Sequence, residues 1–434
     1  MATPVTPVLG VVADDLTGAA DIAGVLAREG VVTVLRVGEP NDDAGAPDAE
    51  GIVVGLKIRT APVASAIEQA TASADWLQRA GVRRFVWKIC STFDSTAEGN
   101  IGPVADALLD LLGERMTLVC PAFPANGRTV VDGRLFVHGV PLDQSPMRDH
   151  PLTPMRDADL ARLLGPQVRD PERIVRLPAA AVEAGAEAVT AVLADLRAGG
   201  ARYVIADAAN DRDCDVLGAA SAELDLVTCA SGLAAGIVRG LRDARLLGPA
   251  APLHAPAPVD GPALVIAGSC STATREQVAR YAPLAPSVRL DPLAADPASD
   301  AIRAARTALA TGADAVMVHS TDTPLAVEGV RTRLGADVGA MVERALAETA
   351  RALVTDGVRR VVIAGGETTG AVLDALEVAD LRIGPELAPG VPIVEAPGPP
   401  RLVIVPKSGN FGGPDLFAEA VAATGTGVRA RAAR

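Results

Sequence analysis

The sequence predicts an α/β protein of two domains, each a mostly parallel sheet flanked by helices, with the active site in the interdomain cleft. Three observations carry that expectation. Short β-branched runs alternate with amphipathic Ala- and Leu-rich stretches, the rhythm of parallel strands joined by helices. At 434 residues the chain exceeds one ordinary domain. The rhythm also stops from Leu247 to Pro262, where Pro and Ala are dense and no periodicity survives. The expected division is a domain over 1–246, a semi-extended linker over 247–262 and a second domain over 263–425, with a frayed tail beyond.

In the first domain Val8 to Ala13 reads as a strand and Thr17 to Glu29 as the helix after it. Gly51 to Leu56, Arg84 to Ile89, Met116 to Cys120 and Tyr203 to Ala206 read as further strands, with helical stretches at Ala64 to Ala80 and Ala186 to Ala198. Between Pro121 and Leu164 turn formers accumulate. Two short runs there, Arg128 to Val131 and Arg134 to Val137, flank Asp132-Gly133, a strong hairpin signal. A long irregular insertion of this kind is usually functional or a lid. After the linker the pattern restarts with strand Ala263 to Ala267, helix Ala273 to Tyr281 and strand Ala315 to His319. A long helix around Gly339 to Asp356, strand Arg360 to Ala364, helix Gly370 to Leu376 and strand Leu402 to Pro406 complete it.

Composition narrows the function. Aromatics are only 2% of the chain and hydrophobic residues 49%, so the cores must be built from Ala, Val, Leu and Ile. The formal charge of −13, with no Lys/Arg cluster interleaved with aromatics, argues against a nucleic-acid partner. No signal peptide is read at Met1 to Pro7, and no apolar run approaches the ~20 residues that span a bilayer. The five cysteines are scattered, which disfavours a disulfide framework or a structural zinc and fits a reduced, cytoplasmic enzyme. His138, His150, His254 and His319 form no metal-binding pattern.

The chemistry concentrates at strand-to-helix turns, the end of an open α/β sheet where ligands bind. Asp14 and Asp15 follow the first strand; they could orient a polyol, act as general base or hold Mg²⁺, or one could simply cap the next helix. Gly268-Ser269-Cys270-Ser271 and Gly365-Gly366-Glu367-Thr368-Thr369 place Gly, Ser and Thr between a strand and a helix start, which suits phosphate. The patch Lys407-Ser408-Gly409-Asn410 after the last strand suits an ATP phosphate or the adenine face, or is a surface turn with a solvated lysine. Lys88, Ser91, Thr92 and Asp94, followed by Asn100, suit a carboxylate-bearing polyol, and Arg59 could clamp its carboxylate. There is no GxxxxGK[ST] P-loop, no protein-kinase motif set, no GxGxxG after the first strand and no GxSxG.

VADDLTGAADIAG, KICSTFDSTAEGNIG, AGGETTGAVLDAL and KSGNFGGPDLF, in that order, resemble the four-carbon acid sugar kinase family. The resemblance implies an N-terminal substrate-binding domain, a C-terminal nucleotide-binding domain and phosphorylation of C4 sugar acids by ATP with Mg²⁺. PAFPANGRTVVDGRLFVHG and HPLTPM are similar to the branch acting on 3-oxo-tetronate. By that resemblance ATP contacts fall on Ser269, on Gly366, Glu367, Thr368 and Thr369, and on Gly409. The expected partners are the sugar acid and ATP; a homodimer is compatible with the reading, nucleic acid and membrane are not. The alternatives are a D-threonate or D-erythronate kinase, an NAD(P)-dependent oxidoreductase, and a non-catalytic sugar-acid sensor.

Overall fold

The computed structural model describes residues 6–41, 45–150, 153–335 and 337–426. Pro151 and Leu152 of the HPLTPM stretch, the first five residues and the tail beyond 426 lie outside the described residues. The chain divides into two units, Met1–Pro252 and Leu253–Arg434. The Pro/Ala stretch is irregular and belongs partly to each: Ala251 donates its N–H to Gly30 O at 2.8 Å, and Val259 donates to Thr424 O at 3.0 Å.

Unit 1 is built on the strands β1 (Leu9–Ala13), β2 (Thr33–Val37), β3 (Gly51–Gly55), β4 (Arg84–Lys88) and β5 (Thr117–Cys120). The hairpin strands β6 (Arg128–Val131), β7 (Arg134–Val137) and the short β8 (Val140–Pro141) form a separate antiparallel sheet. The main sheet resumes with β9 (Ile174–Arg176), β10 (Tyr203–Ile205) and β11 (Leu226–Cys229). Its order is β2-β3-β1-β4-β11-β5-β10-β9, parallel throughout. After β1 the chain builds β2 and β3 on one side and then returns to place β4 on the other. The order therefore reverses at β1, and the crevice beyond the carboxyl ends of β1 and β4 is the expected ligand position.

Unit 2 repeats the device with β12 (Ala263–Ala267), β13 (Ser287–Arg289), β14 (Ala315–His319), β15 (Arg360–Ala364), β16 (Asp380–Ala388), β17 (Val391–Ala396) and β18 (Leu402–Lys407). Its order is β13-β14-β12-β15-β18-β17-β16. The first five are parallel and the last two pairings antiparallel. Here the order reverses at β12, between β14 and β15. Every residue of β12 and β15 is buried, and their Ala/Val/Leu/Ile content answers the scarcity of aromatics.

Two short strands lack the signal expected of them: β9 and β13 have three residues each, too few to show a period. The helix after β15 starts at Gly366, not Gly370. The Gly-Glu-Thr-Thr segment reads as a loop by composition, yet it forms the first helical turn because Gly365, at φ 126°, bends the chain directly out of the strand.

The insertion is anchored. Asp132 and Gly133 take φ of 52° and 68°, the twist of a type I′ turn. Their N–H groups each donate to an Asp207 carboxylate oxygen at 2.8 Å, just past β10. Val130 bridges to Ala208, and Leu135 N donates to Ala158 O at 2.8 Å. Replacing Asp207 by Ala should leave both N–H groups of the turn without their acceptor and lower stability by about 1–3 kcal/mol. Denaturant melting measures that loss, and limited proteolysis should then cut within residues 128–137.

Candidate functional site

Two side-chain clusters stand at the two sheet reversals, one in each unit. In unit 1 the chain leaves β1 through Asp14 and turns into the helix Leu16–Arg28 at Asp15. Asp15 is extended and caps that helix, its Oδ1 accepting from Gly18 N at 2.6 Å. Asp14 is buried, and Arg59 from the loop after β3 grips it with both arms: Nε to Oδ2 and Nη2 to Oδ1, each 2.8 Å. The third nitrogen, Nη1, reaches Asp15 Oδ2 at 2.9 Å. The loop is held from both sides. Ile58 N and Arg59 N donate to Asp14 O, and Asn100 Nδ2 donates to Ile58 O at 2.6 Å and Ala61 O at 2.9 Å.

These contacts set the charges. Burial pushes the Asp15 carboxyl above its usual range, opposed by Arg59 and reinforced by Asp14; Lys88 and the Gly18 N–H pull it back in part. Burial works against the Arg59 guanidinium, but Asp14 beside it holds its pKa well above the ordinary value. Lys88, at the end of β4, is buried and donates to Ile89 O at 3.0 Å. Among the described residues it has no ion-pair partner, so an ammonium with donors to spare faces the Asp15 turn.

The loop after β4 completes the cluster. Asp94 accepts from Thr92 Oγ1 at 2.7 Å and from Cys90 Sγ at 3.2 Å. Burial pushes the Cys90 thiol up to about 11, which makes it a neutral donor at ordinary pH. Ser91 is half-buried beside them. Ser95 is directed elsewhere, onto Gln167 Oε1 at 3.0 Å.

Arg59, Lys88, Asp14, Asp15, Ser91, Thr92 and Asp94 are thus brought together. The fork of Arg59 is already taken up by the two aspartates, which leaves Lys88 as the unpaired cation for an incoming anion. Sequence reasoning passed over Ser231, whose hydroxyl donates to Asp21 Oδ2 at 2.5 Å and ties the turn after β11 to the helix Leu16–Arg28. A small-residue turn, Ala230-Ser231-Gly232, after a β-branched run was the available signal.

In unit 2 three turns meet. Gly268 N and Ser269 N both donate to Ala364 O, which joins the turn after β12 to the end of β15. Gly268 fits only because it has no side chain: a Cβ there would lie 2.1 Å from Thr368 Oγ1. The helix Gly366–Ala375 carries no side-chain cap, so the first-turn N–H groups of Gly366, Glu367 and Thr368 are free for an anion. Gly366 and Glu367 are exposed, while Thr368 and Thr369 are buried. Thr369 serves its own helix, donating to Gly365 O at 2.8 Å. From this turn a cleft of about 170 Å³ runs between apolar Leu290, Val327, Val330 and Val342, with Arg289 and Asp322 at its polar rim. Gly409 packs against the hydroxyls of Ser269 and Ser271. Lys407 is buried, not a solvated surface lysine. Among the described residues no His, Cys, Asp and Glu side chains group as a metal cluster.

Comparison with known proteins agrees with this division. Residues 9–237 match the model of a sugar-binding N-terminal domain, and residues 264–417 that of a nucleotide-binding C-terminal domain. The chain is 47% identical over 422 residues to a 3-oxo-tetronate kinase of Burkholderia multivorans, covering 96% of this chain and 97% of the relative. It is likewise 47% identical to a 3-oxo-tetronate kinase of Cupriavidus necator, covering 96% of each. Among solved structures it resembles a Haemophilus influenzae protein with a TM-score of 0.80 at 39% identity, covering 95% of this chain and 98% of that one. A Salmonella typhimurium LT2 protein, described as a candidate tRNA synthase, gives a TM-score of 0.86 at 38% identity with the same coverage.

Arg59→Ala would leave Asp14 as a buried, unpaired carboxylate, and breaking such a pair costs about 3–5 kcal/mol. Thermal melts of both proteins measure that loss.

Proposed function

We propose that this chain, which belongs to the four-carbon acid sugar kinase family, transfers the γ-phosphoryl group of ATP to the C4 hydroxyl of 3-oxo-tetronate, giving the 4-phosphate and ADP. The observation that carries the reading is the kinase relatives at 47% identity over 96% of the chain. The two clusters supply parts that such a transfer needs. Unit 1 offers a carboxylate with a raised pKa beside a buried, unpaired ammonium and a patch of hydroxyls. Unit 2 offers an uncapped helix N-terminus beside an apolar cleft.

Asp15 is the general base. Its proton affinity is raised, and it is more exposed than Asp14, whose two oxygens Arg59 already holds. It takes the proton of the C4 hydroxyl as the bond from O4 to Pγ forms and the bond from Pγ to the β,γ-bridging oxygen breaks. Lys88 binds the sugar-acid carboxylate, Ser91 and Thr92 its hydroxyls, and Asp94 fixes the rotor of Thr92. Asp14 and Arg59 hold the base in place.

The free N–H groups of Gly366, Glu367 and Thr368, with Ser269 and the Gly409 turn, cradle the triphosphate, and the apolar cleft takes the nucleoside. Mg²⁺ usually keeps few protein ligands in such enzymes, and exposed Glu367 would be its protein carboxylate. When bound, Mg²⁺ would neutralise charge on the triphosphate. Five free thiols accord with a cytoplasmic enzyme.

ADP release with Mg-ATP, measured against 3-oxo-tetronate, D- and L-threonate and D- and L-erythronate, tests the assignment. Turnover on the 3-oxo acid is expected. Turnover only on a threonate or erythronate would move the chain to another substrate, and silence throughout would overturn the kinase reading. Asp15→Asn should lower kcat by ~10²–10⁴-fold. The raised pKa means that the folded state disfavours the Asp15 carboxylate, so stability falls as pH rises past the ordinary aspartate range, and the Asn variant should melt no lower than the parent. The acid limb of kcat/KM should accordingly lie above the ~3.9 of a free aspartate. A variant that loses activity only by unfolding would contradict the role of base.

A further inference from the structure

Lys407 closes β18, one strand over from β15, and the turn that follows lies beside Ser269. The residue is only 2% exposed, and its ammonium donates to three oxygens: Thr274 Oγ1 at 2.8 Å, Gln277 Oε1 at 2.6 Å and Gly409 O at 2.9 Å. All three are neutral. Gly409 O also accepts from Thr274 Oγ1 at 2.8 Å and from Ser271 Oγ, so three donors converge on one carbonyl. Gln277, fixed by the lysine through its oxygen, donates its amide to Phe411 O at 3.0 Å, Gly412 O at 3.1 Å and Gly413 O at 3.0 Å. One buried cation therefore organises the whole segment from Gly409 to Gly413 against the helix Thr272–Tyr281.

A trans peptide sets its C=O and N–H on opposite sides. A Gly409 carbonyl clamped towards Lys407 consequently aims the Asn410 N–H the other way, out of the niche. We propose that Lys407 is a positioning residue for the phosphate donor: it touches no phosphate itself, but holds the Gly409 carbonyl so that the turn presents the Asn410 N–H to ATP. The inference rests on the ATP reading above and goes beyond it by naming the group that shapes the turn.

The arrangement needs a charged lysine. An ammonium has three protons for three acceptors, whereas a neutral amine has two and turns a lone pair on the third. Burial alone depresses this lysine to about 8. No carboxylate offsets it among the described residues. On the adjoining helix Glu276 is exposed, Arg275 binds Thr272 Oγ1, and Arg280 pairs with Asp415. Tyr281 packs on Phe417, and Glu419 of the helix Leu416–Thr424 is exposed. ATP affinity should thus be full below pH 8 and decline as pH rises through it. Folding does not follow the same course. A lysine whose folded pKa is depressed gives up its proton in the folded state first, so stability does not fall over that window.

The test is calorimetric titration of the full chain with Mg-ATP at about pH 7 and about pH 9.5, with the Lys407→Met variant alongside. The Kd of the parent for ATP should rise about tenfold over that span, the scale of one charge-assisted hydrogen bond. The Kd for the sugar acid should stay level, and the variant should bind ATP weakly at both pH values. Parent affinity unchanged within about twofold, or a variant that binds ATP like the parent, would overturn the proposal. If the variant does not fold, the parent's pH dependence decides by itself. No ATP binding by the parent at either pH would instead bring down the kinase reading, a result distinct from binding that is merely flat with pH.

Discussion

The bidentate pair between Arg59 and Asp14 is the constraint on which the rest of unit 1's chemistry depends. A buried carboxylate at a strand end is tolerable only when paired and hydrogen-bonded. Arg59 meets both demands, and in doing so brings the loop after β3 across the end of β1. Its third nitrogen then reaches Asp15, and Asn100 ties the same loop to the chain after β4. Three segments remote in sequence are locked together by one guanidinium and one side-chain amide. The more exposed Asp15 is left with a carboxyl whose environment raises its proton affinity, near the buried ammonium of Lys88.

Among the described residues, the three turns of unit 2's cluster carry no ion pair, and Arg289 pairs with Asp322 at the rim of the cleft. On the proposed reading, phosphate there is met by backbone N–H groups, and backbone can approach closely only where side chains are small. That explains the run of Gly, Ser and Thr at the ends of β12, β15 and β18. Lys407 is turned inward as scaffolding. On the proposed reading, anionic ligands are met by oriented dipoles in one unit and by a buried ammonium in the other, so a net charge of −13 does not stand against two anionic substrates.

Much of the site was legible because its signals are local. Asp14-Asp15, Lys88 and the two Gly-rich turns each stand directly after a β-branched run, and a strand end is readable from a handful of residues. The insertion's hairpin was equally plain from Asp132-Gly133. What stayed hidden required partners at long range. Arg59 looks like a free clamp for a substrate carboxylate until Asp14 is placed against it. Lys407 looks like a surface lysine until Thr274 and Gln277 enclose it. The insertion reads as a mobile cover until Asp207 pins its turn.

By itself the sequence determined the α/β alternation, the break between two units, the small-residue turns and the family they belong to. All of these follow from side-chain size and polarity within a short window. Only the tertiary structure decided which strands lie side by side, placing β1 against β4 and β12 against β15 so that the order reverses at each site. It also decided which charges are already partnered. Lateral order and charge pairing are settled by packing and desolvation between segments far apart in the chain, and no local pattern carries that information.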